Sequence, residues 1–270
     1  MNILVFDIET IPNIELGKKL FDLDKDMPDS EVAEVMFTKR EEKTDGRTRM
    51  LQVHQQKILV ISVLICMNDQ IKMWSLGRDD SDEKQIVTRF FKGIEKYTQK
   101  PTLVSWNGIG FDAPLLHYRA LSHGVSSPSY WDTGQRNTEF RWNNYQNRYH
   151  QKHTDIMDSL AMHNSYCFAP LTEIAVSLGL PGKLGMDGSK VWDNYKDGKV
   201  SEICDYCETD VLNTFLVYLK FELIRGHISQ EQHDGLCSKL VALLQEKDLS
   251  HFKEFLSSWE SQPKASNVAE

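Results

Sequence analysis

The chain is short of positive charge and of long apolar runs. Its 270 residues include 31 Lys and Arg against 39 Asp and Glu, a formal net charge of −8. Such an acidic balance disfavours long-range attraction to polyanions, so any polyanion partner would need a local basic patch or bound metal. The longest apolar run, residues 58–66, is far below the ~20 residues that span a bilayer. No basic segment precedes an apolar one at the N-terminus, so a cytoplasmic location is expected.

Cysteine is sparse and odd in number. Five cysteines in a chain of this size do not suggest a disulfide framework, so we expect reduced thiols. Cys204 and Cys207 form a CxxC, but no second pair or suitably spaced histidine pair completes a zinc site. We interpret them as small residues on a helix. With 40% hydrophobic and 26% charged residues, the composition excludes fibrous, collagen-like and wholly disordered proteins.

Short apolar runs in the first half of the chain predict a β-sheet. The first run, residues 1–7, ends in an acid, which is typical of a buried strand that delivers a carboxylate at its end. The runs 58–66 and 71–76 flank an Asn-Asp turn and predict a hairpin. Further short strands are predicted over 101–106 and just before Asp155.

Helical spacing of apolar residues predicts helices over 80–97, after the turn at 107–110, and over 200–222. Strands in the first half and helices in the second predict an α/β fold with a mixed central sheet flanked by helices. The charged stretch 16–56 is expected to contain loop and short helix.

The domain organisation is expected to be simple. One domain should occupy residues 1–225, with helices over 226–259 packed on it and a disordered tail over 260–270.

Acidic side chains stand at the ends of two predicted strands and in the long helix. Asp7 and Glu9 are two residues apart, so on an extended strand they point to the same side. Carboxylates that close repel each other unless a cation neutralises them, although a strand ending in solvated acids is the simpler interpretation. Asp112 follows the turn after another strand. Tyr206 and Asp210 lie one turn apart on a helix face, so a phenol and a carboxylate can address one point.

Three segments resemble the exonuclease motifs of the DEDD superfamily of 3′-5′ exonucleases. They are Phe6-Asp7-Ile8-Glu9-Thr10, Asn107-Gly-Ile-Gly-Phe111-Asp112 and Tyr206-Cys-Glu-Thr-Asp210, which match D-x-E, N-x₃-F-D and Y-x₃-D in the family order. Each motif is weak alone, but the ordered set is specific. The tyrosine spacing is typical of the tyrosine subclass. The histidine subclass would have His at position 205, where this chain has Asp205.

A narrower likeness extends over roughly residues 1–225. Segments 144–149, 153–158, 178–183 and 205–211 resemble a stand-alone family of predicted exonucleases related to the proofreading domain of B-family DNA polymerases. This resemblance implies a ribonuclease H-like fold. It also implies that single-stranded nucleic acid is hydrolysed at its 3′ end, DNA more than RNA, with release of nucleoside 5′-monophosphates.

The resemblance further implies two divalent ions, Mg²⁺ or Mn²⁺, because charge develops on both the attacking and the leaving oxygen. By the family pattern Asp7, Glu9 and Asp210 hold the ion beside the attacking water. Asp7, with help from Asp112, holds the ion that faces the leaving oxygen. Tyr206 would orient the water, because a phenol with an ordinary pKa of about 10 is a poor base at neutral pH.

Further residues near these motifs are candidates for binding the nucleic acid. They are Thr10, Asn107, Phe111, Arg148 and Lys183. A local cap is the alternative for Thr10, and a place in the core is the alternative for Phe111. Residues 131–153 carry four Lys or Arg against two acids, with aromatics between them, a pattern typical of single-strand binding but also found in ordinary surface loops.

Some interpretations stay open. Asp155 and Asp158 predict a helix start, with a role beside the site as the alternative. An exonuclease that trims RNA would use the same acids, and a non-catalytic binding module could keep the fold without turnover. A purely structural scaffold has no need of clustered acids that repel each other, which favours an enzyme.

Overall fold

The computed structural model describes residues 1–79, 82–182 and 184–261. The strands in these ranges are β1 Asn2–Pro12, β2 Gln56–Met67, β3 Gln70–Leu76, β4 Thr102–Ser105 and β5 His153–Asp155. The α-helices are α1 Ile14–Leu20, α2 Asp29–Lys43, α3 Glu83–Glu95, α4 Asp112–His123, α5 Ile156–Leu160, α6 Leu171–Ser177, α7 Val191–Lys196, α8 Val200–Ile224, α9 Gln230–Lys247 and α10 Ser250–Ser261.

The strands form one mixed sheet in the order β3-β2-β1-β4-β5. β1 pairs antiparallel with β2 and parallel with β4, and β4 is parallel to β5. All five predicted strands are confirmed. β1 continues past Asp7 to Pro12, because the residues after the acid keep their pairing with β2 as far as Gln56.

Successive residues of β1 point to opposite faces of the sheet, and each face has its own core. Ile3 and Val5 pack with Val211 and Phe215 of α8. Leu4 and Phe6 belong to the core on the opposite face, which α3 and α4 cover. The sheet is therefore mixed, central and flanked by helices, as the sequence predicts.

The prediction for residues 16–56 was wrong in part. The stretch contains α2, a helix of 15 residues, which packs on α1 through Val32 and Met36. These two residues stand in the run Val32-Ala-Glu-Val-Met-Phe37, whose apolar residues are not confined to one helix face, so no amphipathic spacing stands out in the sequence. Gly17 of α1 makes the contact possible, because a Cβ there would lie 2.5 Å from the sulfur of Met36.

The last two helices pack against α8 and the edge of the sheet. Leu240 of α9 and Phe252 of α10 are fully buried in the core that contains Val5. α10 ends at Ser261, two residues into the predicted tail, and the rest of that tail lies outside the described residues. The predicted domain limits stay a prediction. Within the described ranges, no helix is both long and apolar enough to cross a bilayer.

Candidate active site

β1 presents Asp7 and Glu9 on the face that α8 covers. They follow Ile3 and Val5 on that face, where the apolar packing ends. Cys207 of α8 lies over Asp7, and its thiol donates to the Asp7 carbonyl oxygen at 3.4 Å and to Oδ2 at 3.5 Å. One ligand atom from each of Asp7, Glu9 and Cys207 lies within 4.8 Å of the other two. The two carboxylates are thus side by side, as their spacing predicts.

α8 brings Tyr206 and Asp210 to the same place. Burial raises the pKa of Tyr206 well above its usual value, and the negative charges of Asp210, Glu9 and Asp7 act in the same direction. A hydrogen bond between the Tyr206 hydroxyl and Asp210 also raises this pKa. The phenol is therefore neutral and donates its proton to the carboxylate.

Asp112 is the first residue of α4, which covers the sheet face opposite to α8. Because β4 lies parallel to β1, the turn after β4 brings the first residue of α4 next to β1. Asp112 is buried, and burial followed by the negative charge of Asp7 raises its pKa well above the usual value. The backbone N–H of Ile8 opposes this shift. Of the five predicted catalytic residues, Asp7 therefore interacts with Asp112 and with Tyr206, and Tyr206 interacts with Glu9 and Asp210.

The turn that carries Asp112 is braced by Asp155. Asn107 has a left-handed φ of +62°, and its carbonyl accepts from Gly110 N at 3.0 Å. The two carboxylate oxygens of Asp155 accept from Asn107 N at 3.0 Å and from Ile109 N at 2.9 Å. Asp155 also caps α5, which confirms the predicted helix start. Its negative charge raises the pKa of Asp112, so it lies beside the site as well.

The electrostatics of the acids suit a divalent cation. Burial raises the pKa of Asp7 to about 6, although hydrogen bonds from Cys207 and from the N–H of Ile8 oppose the shift. Asp7 and Asp112 thus hold protons more tightly than exposed carboxyls, because their charges are desolvated and face each other. Hard oxygen donors in this arrangement fit Mg²⁺ or Mn²⁺. Burial also raises the pKa of the Cys207 thiol, which therefore stays protonated as a donor to Asp7.

The candidate substrate-binding residues differ in burial and in whether their side chains already have hydrogen-bond partners. The hydroxyl of Thr10 donates to the side chain of Gln56 on the neighbouring strand β2, so it does not make the local cap considered as its alternative. Phe111 is half-buried against the core of α3 and α4. Arg148 is paired with Asp158 through two hydrogen bonds, Nε to Oδ2 at 2.9 Å and Nη2 to Oδ1 at 2.5 Å. The predicted contact of Lys183 lies outside the described residues.

Residues 131–153 are partly core and partly surface. Phe140 and Tyr145 are buried, and the Lys152 ammonium lies over both rings. Trp142 is 83% exposed and Tyr149 is 72% exposed. A cavity of about 220 Å³ lies beside Tyr149 and reaches Ile109 and Asp155 at the turn before Asp112. Part of the predicted patch is therefore open to solvent, and part of it builds the fold.

Cys207 is a residue of the site that sequence reasoning missed. The sequence interpretation as a small helix residue accounts for its burial, but not for its contact with Asp7. It lies three residues before Asp210, so helical spacing already places both on one side of α8. That spacing was the available signal.

Acids on the central strand of a mixed sheet, after the neighbouring parallel strand and on a covering helix are consistent with a ribonuclease H-like exonuclease fold. Residues 48–259 match the family described as predicted 3′-5′ exonucleases related to the exonuclease domain of PolB, and the chain belongs to this family. The matched range contains Asp112, Tyr206 and Asp210, whereas Asp7 and Glu9 precede it. No curated protein matches the chain.

Proposed function

We propose that the chain is a two-metal-ion 3′-5′ exonuclease of the tyrosine subclass. It releases nucleoside 5′-monophosphates from the 3′ ends of single-stranded nucleic acid, with DNA preferred to RNA. The observation that carries the proposal is the convergence of acids from β1, α4 and α8 around Asp7, whose pKa is raised to about 6. Membership of a predicted 3′-5′ exonuclease family supports the reaction type.

The carboxylates of Asp7, Glu9, Asp112 and Asp210 are the proposed metal ligands. Divalent ions held there would stabilise the charge that develops on the attacking and leaving oxygens of the phosphodiester. The protein's own contribution is to fix these carboxylates before the substrate arrives. Asp7 is held by Cys207, and Asp112 by the start of α4 and the N–H of Ile8.

Tyr206 orients the attacking water. Its hydroxyl proton is donated to Asp210, so the lone pairs of its oxygen are the part that can bind a water. Accepting one hydrogen of that water turns the water's own lone pair away from the ring and towards the phosphorus. Because the phenol is neutral and its pKa is raised, Tyr206 positions the water and abstracts no proton.

Residues around the acids bind the strand. Asn107 and Phe111 stand on the turn before Asp112, so we propose that they contact the terminal nucleotides. Because its hydroxyl is engaged by Gln56, Thr10 would use its backbone N–H. Arg148 and the exposed Tyr149 line the cavity that reaches this turn, so the ring can stack on a base, and Arg148 would exchange its pairing with Asp158 for a phosphate. For Lys183 we propose a contact with a phosphate of the strand.

The test is digestion of matched single-stranded DNA and RNA oligonucleotides labelled at the 5′ end, with Mg²⁺, Mn²⁺ or EDTA. Wild-type protein should give a ladder that shortens from the 3′ end, and should digest DNA faster than RNA. EDTA and the Asp7→Ala variant should both abolish the ladder. An Asp205→Asn variant is the matched control, because Asp205 lies on α8 but is paired with Arg78.

The possible outcomes separate the alternatives. Faster digestion of RNA would replace the proposed substrate by RNA. Binding of either strand without cleavage would favour a non-catalytic module. Cleavage that persists in Asp7→Ala would contradict the assignment of the acids.

A further inference from the structure

A row of polar side chains crosses three strands beneath α8. Asp7 of β1 pairs in register with Ser62 of β2, which pairs with Ser75 of β3. The preceding row on this face is Val5, Leu64 and Met73, which are all apolar and buried. The change from an apolar to a polar row coincides with the position of Asp7.

Hydrogen bonds and close contacts join the members of this row. Ser62 Oγ and Ser75 Oγ are 2.8 Å apart, and Ser75 Oγ donates to Glu208 Oε1 of α8 at 2.6 Å. Ser62, the register partner of Asp7, also contacts the Cys207 thiol, and this thiol donates to Asp7 Oδ2 at 3.5 Å. The chain of contacts is therefore continuous from Asp7 to Glu208.

At the far end of the row, His251 of α10 and Arg78, which follows β3, hold the Glu208 carboxylate. His251 Nε2 of α10 lies 2.7 Å from Glu208 Oε2, and Arg78 Nη2 lies 3.3 Å from Glu208 Oε1. These partners set the orientation of the Glu208 carboxylate. Because that carboxylate accepts the Ser75 proton, it also sets the direction in which the Ser75 hydroxyl points.

Stability alone does not explain a polar row in this place. Ser62 and Cys207 are fully buried and Glu208 is 4% exposed. Buried polar groups stabilise a fold only when all their hydrogen bonds are made, and an apolar row of the same size would pack without that requirement. What a hydrogen-bonded row adds is a defined rotamer for each member.

We propose that Ser62, Ser75 and Glu208 are positioning residues that fix the Cys207 thiol and, through it, the Asp7 carboxylate, with His251 anchoring the row to α10. The inference rests on the proposed function in one respect, that Asp7 binds a divalent ion. Partners that orient a metal-binding side chain typically change metal affinity or activity by about 10- to 100-fold. Because His251 belongs to α10, this helix would influence metal binding at Asp7, although Asp7 lies at the opposite end of the row.

The test compares Mn²⁺ binding to wild-type, Ser75→Ala and Ser127→Ala proteins by titration calorimetry, with melting curves for each. Ser127 is the matched control, because it is buried and its hydroxyl donates to Glu95 Oε1 at 2.8 Å in another part of the fold. We expect Ser75→Ala to weaken Mn²⁺ binding about tenfold and Ser127→Ala by less than about twofold. Ser75→Thr, which keeps the hydroxyl, should restore most of the affinity.

Two results would overturn the inference, and they are distinguishable. Unchanged Mn²⁺ affinity in a folded Ser75→Ala protein would overturn the positioning row and leave the proposed function standing. A wild-type protein that does not bind Mn²⁺ would overturn the proposed function, and the row's role with it.

Discussion

Two acidic clusters lie next to each other along α8, and only one of them has the character of a metal site. The β1 cluster contains Asp7, Glu9 and Cys207, and the α10 cluster contains Asp205, Glu208 and His251. In each cluster the possible ligand atoms lie within 4.8 Å of one another. Each cluster also contains two carboxylates, so spacing and acid count alone do not distinguish them.

Charge balance separates them. In the α10 cluster, Arg78 lies 2.6 Å from Asp205 and 3.3 Å from Glu208, and hydrogen bonds hold the pKa of Glu208 below its usual value despite burial. In the β1 cluster, burial raises the pKa of Asp7 to about 6, and Asp7 in turn raises the pKa of Asp112. A cation bound at Asp7 would offset the desolvation of its carboxylate, whereas Arg78 already does so for the acids of the α10 cluster.

The largest expected difference is between two identical substitutions on α8. Asp210→Asn should lower the rate of 3′ digestion by about 1,000-fold or more, because it removes a proposed metal ligand. Asp205→Asn should leave the rate within about threefold, because it weakens partly exposed ion pairs with Arg78 and His251 that are worth about 1 kcal/mol or less each. Single-turnover digestion of a labelled strand measures both. Equal losses would contradict the distinction between the clusters.

The next largest difference is in how the free energy of unfolding depends on pH, measured by urea unfolding in EDTA. The pKa of Asp7 is about 6 in the folded protein and about 4 when unfolded, so its ionisation opposes folding. That penalty is complete above pH 6 and absent below about pH 4. Asp7→Asn should therefore be more stable than wild type by up to about 3 kcal/mol at pH 8, and the gain should disappear near pH 4. A gain independent of pH would exclude ionisation as its cause.

A smaller effect is expected from the tyrosine of the site. Tyr206→Phe should slow digestion about 10- to 100-fold and change Mn²⁺ affinity by less than about twofold, because it removes a positioning hydroxyl and no ligand. Tyr218 is a matched control on the same helix, since it is buried and hydrogen-bonded to Glu222, four residues on, as Tyr206 is to Asp210. Tyr218→Phe should leave the rate nearly unchanged. Loss of Mn²⁺ binding in Tyr206→Phe would contradict its assigned role.

The smallest expected effect is that of a substitution in the α10 cluster, which should lower the stability that Asp7→Asn raises. Because the pKa of Glu208 is lowered on folding, its ionisation stabilises the protein above its unfolded pKa, and this contribution is lost as the pH falls through the folded pKa. Glu208→Gln should cost about 1 to 2 kcal/mol at pH 7 in EDTA. The cost of Glu208→Gln should shrink as the pH falls through the folded pKa of Glu208. The stability gained by Asp7→Asn should also shrink on acidification, but between about pH 6 and pH 4. A cost that grows towards low pH would contradict the ion-pair account.

Local patterns were enough to predict most of the fold and the proximity of the acids within each motif. The spacing of Asp7 and Glu9 on a strand, and of Tyr206 and Asp210 on a helix, follows from backbone geometry alone. The polar row did not follow, because the contact of Ser62 with Ser75 depends on hairpin register and that of Ser75 with Glu208 on how α8 docks.

The same limit applies to charges. Nothing local to Asp205 indicates that Arg78, 127 residues away in sequence, neutralises it. Residues 131–153 were likewise ambiguous, because cations and aromatics build a core as readily as a surface, and Lys152 over Tyr145 does so here. The sequence therefore predicts which residues can act, while tertiary contacts decide which of them remain available.

The most direct test of the account is anomalous diffraction from crystals soaked in Mn²⁺, recorded at the manganese absorption edge. We predict anomalous peaks beside the carboxylates of Asp7, Glu9 and Asp210, and none between Asp205 and Glu208. A peak in the α10 cluster, or none beside Asp7, would contradict the proposal that the β1 cluster and not the α10 cluster binds the metal.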